Sequence, residues 1–94
     1  MADARQRPVV WPPRAIRDLE GIHAYIAQFA PLAAERFTSR LTAAVESLAV
    51  RPDRGRPAGR LRELVAVSPY VVRYRVTRQG VEIARIKHGA RREE

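Results

Sequence analysis

Tyr70-Val71-Val72-Arg73-Tyr74-Arg75-Val76-Thr77-Arg78-Gln79-Gly80-Val81-Glu82-Ile83-Ala84-Arg85-Ile86-Lys87-His88 is the stretch that decides the fold. Its first half alternates. Tyr70, Val72, Tyr74 and Val76 share one face and Val71, Arg73 and Arg75 the other, the period-two pattern of a half-buried strand. Arg78-Gln79-Gly80 reads as a hairpin turn in which Gly80 supplies the positive φ, and Val81 to His88 as the returning strand. A three-residue turn would pair Thr77 with Val81, Arg73 with Arg85 and Arg75 with Ile83. Arg73, Arg75, Arg85 and Lys87 then form one basic surface, interrupted by Val71, Val81 and Ile83. A two-residue turn would point Arg85 and Lys87 at the core, where an unpaired charge is expensive. The three-residue turn is therefore expected, and a bulge is the device that could change it.

Working outward, Leu61 to Val67 reads as another strand, stopped by Ser68-Pro69. Arg51 to Arg60, with two prolines, two glycines and four arginines, reads as a loop. Upstream the period changes to that of helices. Ala33, Ala34, Phe37, Leu41, Ala44, Val45 and Leu48 form one stripe of a helix over about 31–50. Ala15, Ile16, Leu19, Ile22, Ile26 and Phe29 form the stripe of a helix over about 13–29, with Gly21 on its solvent side. Pro13 and Pro31 suit first-turn positions, since proline has no N–H to lose there. Pro8 to Trp11 is a short extended segment. The class is α+β: an N-terminal strand, then a helical hairpin packed on one face of a small, mainly antiparallel sheet, in the order β-α-α-β-β-β. Residues 1–94 form one domain, with 1–7 and 90–94 expected to be flexible ends.

Composition narrows the function. The chain has 94 residues, 46% hydrophobic and 30% charged, a globular balance in which one small core is possible. It has no cysteine, which excludes disulfides and thiolate metal sites. Two histidines, with no paired-carboxylate spacing, give no metal-binding pattern, and no cofactor is expected. His23 borders the first helix's apolar stripe and reads as a packing residue. No apolar run approaches the ~20 residues that span a bilayer. Met1 to Arg7 lacks the apolar segment of a secretory signal. A reduced, cytoplasmic protein is the expectation. The net charge is +8, and it is uneven: residues 1–50 hold six basic and five acidic side chains, residues 51–94 twelve and five. All the basic residues but Lys87 are arginine, the residue suited to planar phosphate and carboxylate partners, although arginine can also reflect codon usage and a solvated surface. The asymmetry implies an acidic partner.

The fragments, in order, resemble the ParE branch of the ParE/RelE toxin superfamily. They are Val10-Trp11 with Arg14-Ala15, Asp18-Leu19, Ile22, Tyr25-Ile26-Ala27, Ala33-Ala34 with Phe37, and Pro52 with Gly55-Arg56-Pro57. Arg62-Glu63-Leu64-Val65, Tyr70-Val71-Val72, Tyr74-Arg75-Val76, Val81-Glu82-Ile83 and His88-Gly89-Ala90-Arg91-Arg92 complete the match over about residues 8–92. The resemblance implies the toxin of a type II toxin–antitoxin pair, silenced by a ParD-like antitoxin that wraps around it. ParE-like members poison DNA gyrase; RelE-like members share the fold and cut mRNA on the ribosome. No membrane and no small-molecule substrate is implied.

An RNase would need a base for the 2′-OH, an acid for the leaving oxygen and cations for the developing charge. The available residues are Glu63, His88, Arg62, Arg73, Arg85 and Lys87. Some RelE-like nucleases carry a His-Tyr end, whereas Gly89 follows His88 here and no tyrosine follows Tyr74. Residues 51–60 lack the lysines some of those enzymes use, and their strand arginine falls on Val71. The expectation is an inhibitor that acts by binding, with no catalytic residues. Arg73, Arg75, Arg85, Lys87, His88 and Arg91 are the candidates for target contact. Arg36, Arg40, Val71, Val81 and Ile83 are the candidates for antitoxin contact. The runners-up are a ribosome-dependent mRNA endonuclease and a plain nucleic-acid-binding module, the latter without a helix–turn–helix or RNA-binding signature.

Overall fold

The computed structural model describes residues 7–89. A two-residue strand, β1 (Val9–Val10), leads into a helical hairpin of α1 (Pro13–Ala27) and α2 (Pro31–Glu46). A 3-10 turn at Ser47–Ala49 ends the hairpin, and four strands follow: β2 (Arg56–Ala58), β3 (Leu61–Val67), β4 (Tyr70–Val76) and β5 (Val81–His88). The sheet order is β1-β5-β4-β3-β2, with β1 parallel to β5 and every other pair antiparallel. This is the expected α+β architecture with one strand more. Residues 1–6 and 90–94, including the candidate Arg91, lie outside the described residues.

Each helix begins on a proline in its first turn. The stripe of α2 is the principal core element: Ala34, Phe37, Leu41, Val45 and the following Leu48 are buried. They meet Leu64, Val72, Tyr74, Val81, Ile83 and Ile86 from one face of the sheet. Burying each such aliphatic side chain contributes about 1.5–3 kcal/mol. On α1 only Ala15 is buried, while Leu19, Ile22 and Ile26 are half-buried against the core. Ile16 is 41% and Phe29 72% exposed. Both were expected in the stripe; Ile16 sits at its margin, and Phe29 lies beyond the last helical turn. A 2.9 Å hydrogen bond between His23 Nδ1 and Thr38 Oγ1 ties α1 to α2.

The added strand lies in the stretch expected to be loop. Pro57 has no N–H to offer, yet an edge strand tolerates it. Arg56, Pro57 and Ala58 pair with Glu63, Arg62 and Leu61 across a turn in which Gly59 adopts φ +65°.

The β4–β5 hairpin corrects two expectations. Thr77 and Gly80 pair with each other through their backbones (N–H to O 2.7 and 3.3 Å), so the turn has two residues. Val76 pairs with Val81, Arg75 with Glu82 and Tyr74 with Ile83. Val81 and Ile83 therefore point into the core and are fully buried, not on the basic face as antitoxin contacts. The register then shifts: Ala84 is the extra residue of a bulge, and Arg73 pairs with Arg85. The bulge reverses the alternation, so Arg85 and Lys87 face away from the helices and Ile86 faces them. The cost of burying those cations is avoided, as expected, but by a bulge rather than a longer turn. Gly80 has φ +154°, and a Cβ there would lie 2.3 Å from the Pro8 carbonyl oxygen, which accepts the Val81 N–H at 2.9 Å. Glycine is thus required both for the turn and for the docking of β1.

A charge-paired sheet face and the groove at its edge

Strand pairing lays out the uncovered face in rows. One runs Arg56, Glu63, Arg73, Arg85 across four strands; the next runs Val65, Val71, Lys87. Arg75 and Glu82 pair at the turn end. The expected cations Arg73, Arg75, Arg85 and Lys87 do share this face, but three are matched by carboxylates. Glu63 is 8% exposed and lies between two guanidiniums, with Arg73 Nε at 2.9 Å and Arg56 Nη2 at 3.3 Å. Burial alone would push the Glu63 carboxyl up; hydrogen bonds and charge from Arg73 and Arg56 outweigh it and hold the carboxyl below its ordinary range. Arg75 Nη2 meets Glu82 Oε1 at 3.2 Å, both exposed.

Arg85 reaches round the sheet edge. Beyond Glu82 the outer side of β5 is no longer covered by β1, and α1 lies there instead. Asp18 of α1 accepts Arg85 Nε at 2.7 Å, Arg85 Nη2 at 3.3 Å and the Ile86 backbone N–H at 3.0 Å. The hydrogen bond to Asp18 raises the Arg85 pKa further, so this charge is permanent. Asp18 acts as a clamp on an otherwise open strand edge. Sequence reasoning assigned Asp18 no role. Its only signal is an acid bordering the apolar stripe of α1, and its partner lies 67 residues away.

Alongside this clamp runs a groove of about 800 Å³, lined on α1 by Arg17, Gly21, Ile22 and Tyr25 and on the sheet by Tyr70, Ile86, Lys87 and His88. His88 is half-buried on the helix side of β5, edge-to-face with Tyr70 at 5.3 Å, and Tyr70 stacks similarly on Phe37 at 5.1 Å. Lys87 is half-buried on the opposite face and reaches the same groove at the edge. Of the remaining candidates, Val71 is half-buried on the uncovered face beside the 60% exposed Val65. Arg36 and Arg40 are exposed on α2, in the helical layer. Arg62, weighed as a catalytic cation, instead donates to the Gly55 carbonyl. Among the described residues, no three His, Asp or Glu side chains gather closely enough to hold a metal ion. No described helix is long and apolar enough to cross a membrane.

This arrangement has known counterparts. Residues 9–93 match the model of the ParE toxin of the parDE type II toxin–antitoxin system. Toxin RelE2 of Caulobacter vibrioides is 56% identical over 84 residues, which cover 88% of this chain and 96% of that one. Putative toxin Y4kP of Sinorhizobium fredii is 42% identical over 87 residues, 88% of each chain. A chain of the chromosomal ParDE TA system of P. aeruginosa superposes with a TM-score of 0.80 at 22% identity, over 90% of this chain and 98% of that one, and so shares the fold. One of these relatives carries a RelE name and the family model a ParE name, so names do not choose between the two branches. A match running from β1 to past β5, with such relatives spanning nearly their own full length, shows that the chain belongs to the ParE toxin family of type II toxin–antitoxin systems.

Proposed function

We propose that this toxin arrests growth by binding DNA gyrase rather than by cutting RNA, and that a ParD-like antitoxin silences it. One observation carries the reading: the groups that could serve as acid and base face different ways. Glu63 is on the uncovered face, nearly buried, with its two oxygens taken by Arg73 and Arg56. A carboxylate held below its ordinary pKa is a weak proton acceptor. His88 is on the helix side, its ring against Tyr70. Arg73 and Arg85, which an RNase would turn on a phosphorane, are already engaged by Glu63 and Asp18. What the surface offers instead is a set of pre-positioned guanidiniums and Lys87, suited to an acidic protein surface.

The mRNA endonuclease is the second reading, favoured by the RelE names of three relatives from Caulobacter vibrioides and by Glu63, Arg73, Arg85 and Lys87 sharing one face. Two assays on the purified, antitoxin-free chain separate the readings. Inhibition of gyrase supercoiling with intact mRNA in a translating extract is expected. Full supercoiling with newly cleaved mRNA overturns the proposal.

A further inference from the structure

Arg56 and Arg73 are matched by Glu63, Arg75 by Glu82 and Arg85 by Asp18. Arg62 breaks that pattern. It pairs across the ladder with the buried Tyr74, on the helix side of β3, and is half-buried there. The group it donates to is the Gly55 carbonyl, which is neutral. Arg60, in the turn that leads into β3, is exposed. Neither arginine has a carboxylate within 4 Å among the described residues. A half-buried cation without an anion carries a desolvation cost that no described residue offsets.

Arg60 and Arg62 line one open pocket of about 350 Å³ at the β2–β3 turn, walled by Pro57, Leu61 and Val76, and no acidic residue lines it. Arg75 brings a third guanidinium to the lining. Its ion pair with Glu82 is exposed on both sides and screened by water, so Arg75 is free to exchange partners. The pocket is held ready by the loop before β2. The Tyr74 hydroxyl accepts the Gly55 N–H at 2.8 Å and donates to the Pro52 carbonyl at 2.7 Å, which fixes the residue on which Arg62 rests. One donor of the Arg62 fork is spent on Gly55, and the others are left for a ligand. Guanidiniums gathered around so small a space call for several negative charges close together. A carboxylate or a phosphodiester brings one such charge, a pyrophosphate group more. Tyr74, the aromatic residue of the lining, is fully buried, so the pocket has no platform for stacking a base and its recognition rests on phosphate. We propose that the pocket at the β2–β3 turn binds a pyrophosphate group, either free or as the polyphosphate chain of a nucleotide. This site is separate from the α1–β5 groove and does not rest on the gyrase reading.

The test is isothermal titration calorimetry of the purified, antitoxin-free full chain with pyrophosphate, with ATP and with a single-stranded RNA oligonucleotide. It is run at about 0.15 M salt, where distant charges are screened. Pyrophosphate and ATP are expected to bind at one saturable site. Arg60→Glu and Arg62→Gln each lower that affinity about tenfold or more. Arg17→Glu makes the same change of charge as Arg60→Glu, at an exposed position on α1 outside the pocket lining, and lowers it less than about twofold. Arg62→Gln keeps an N–H donor for the Gly55 carbonyl, and circular dichroism checks its fold. Where that variant unfolds, Arg60→Glu decides, because Arg60 is exposed and makes no ion pair among the described residues. Similar affinities for pyrophosphate and ATP assign the site to the phosphate group itself, and tighter binding of ATP assigns it to a nucleotide; both support the proposal. No saturable binding of either ligand overturns it. An equal loss in Arg17→Glu and Arg60→Glu also overturns it, since overall charge then explains the binding. An oligonucleotide that binds more tightly than pyrophosphate and is lost in Arg60→Glu reassigns the pocket to a nucleic-acid backbone and overturns it as well.

Discussion

Tyr74 has its ring in the core and its hydroxyl in the loop that precedes β2. It is fully buried, donates to the Pro52 carbonyl at 2.7 Å and accepts the Gly55 N–H at 2.8 Å. A Cβ on Gly55 would fall 2.5 Å from that hydroxyl, so this glycine is fixed by close packing. Tyr74→Phe keeps the ring and strands both loop partners; urea denaturation is expected to show a loss of about 1–3 kcal/mol. Glu63 makes a second residue-scale prediction. Its folded pKa is lowered from the ordinary 4.5, so its stabilising contribution is present above the unfolded value and is lost as pH falls through the folded one. Unfolding followed against pH should show stability declining below the ordinary carboxylate range, and Glu63→Gln should remove that part of the decline. At neutral pH the same variant is expected to cost about 1–3 kcal/mol, toward the lower end because Arg56 is 72% exposed and can rehydrate.

At the scale of elements, the bulge at Ala84 decides which side chains the sheet shows. Deleting Ala84 removes the extra residue, so Arg85 follows the inward Ile83 directly and plain alternation keeps Arg85 and Lys87 outward and Ile86 inward. The deletion variant is expected to keep its cooperative thermal transition and amide dispersion; an unfolded deletion variant would contradict the assignment of Ala84 as the extra residue. Asp18→Ala removes the acceptor of three hydrogen bonds between α1 and β5. It is expected to destabilise the fold by about 1–3 kcal/mol and to speed hydrogen exchange at Ile86 before the rest of β5. The hairpin and the three long strands were legible in the sequence because prolines, the 3.6-residue stripe of α2 and the alternation of β4 all agree. The short strand β2 was not, since Arg56-Pro57-Ala58 has no strand-like residue and is defined only by its pairing with β3. The bulge was not, since Ala84 resembles any other strand residue. Its consequence, Arg73 opposite Arg85, was nonetheless reached from the cost of burying charge.

At the scale of the molecule, the excess of cations in the C-terminal half becomes a sheet face whose charges are mostly matched by carboxylates from β3, β5 and α1. The cations themselves could be read from the alternation; their matching could not, because an acid in the first helix and one in β3 meet them only in three dimensions. The same folding opens the α1–β5 groove, where Arg17 of α1 and Lys87 of β5 have no carboxylate within 4 Å among the described residues. In the proposed reading, this surface holds an acidic protein partner, and Glu63 and His88 stand on opposite faces of the sheet. The most direct measurement is co-sedimentation of the purified, antitoxin-free chain with reconstituted gyrase and, in the same buffer, with mRNA-loaded ribosomes. The account predicts that the chain travels with gyrase and leaves ribosomal mRNA whole. A chain that travels with ribosomes, ignores gyrase and cuts the bound mRNA would contradict it.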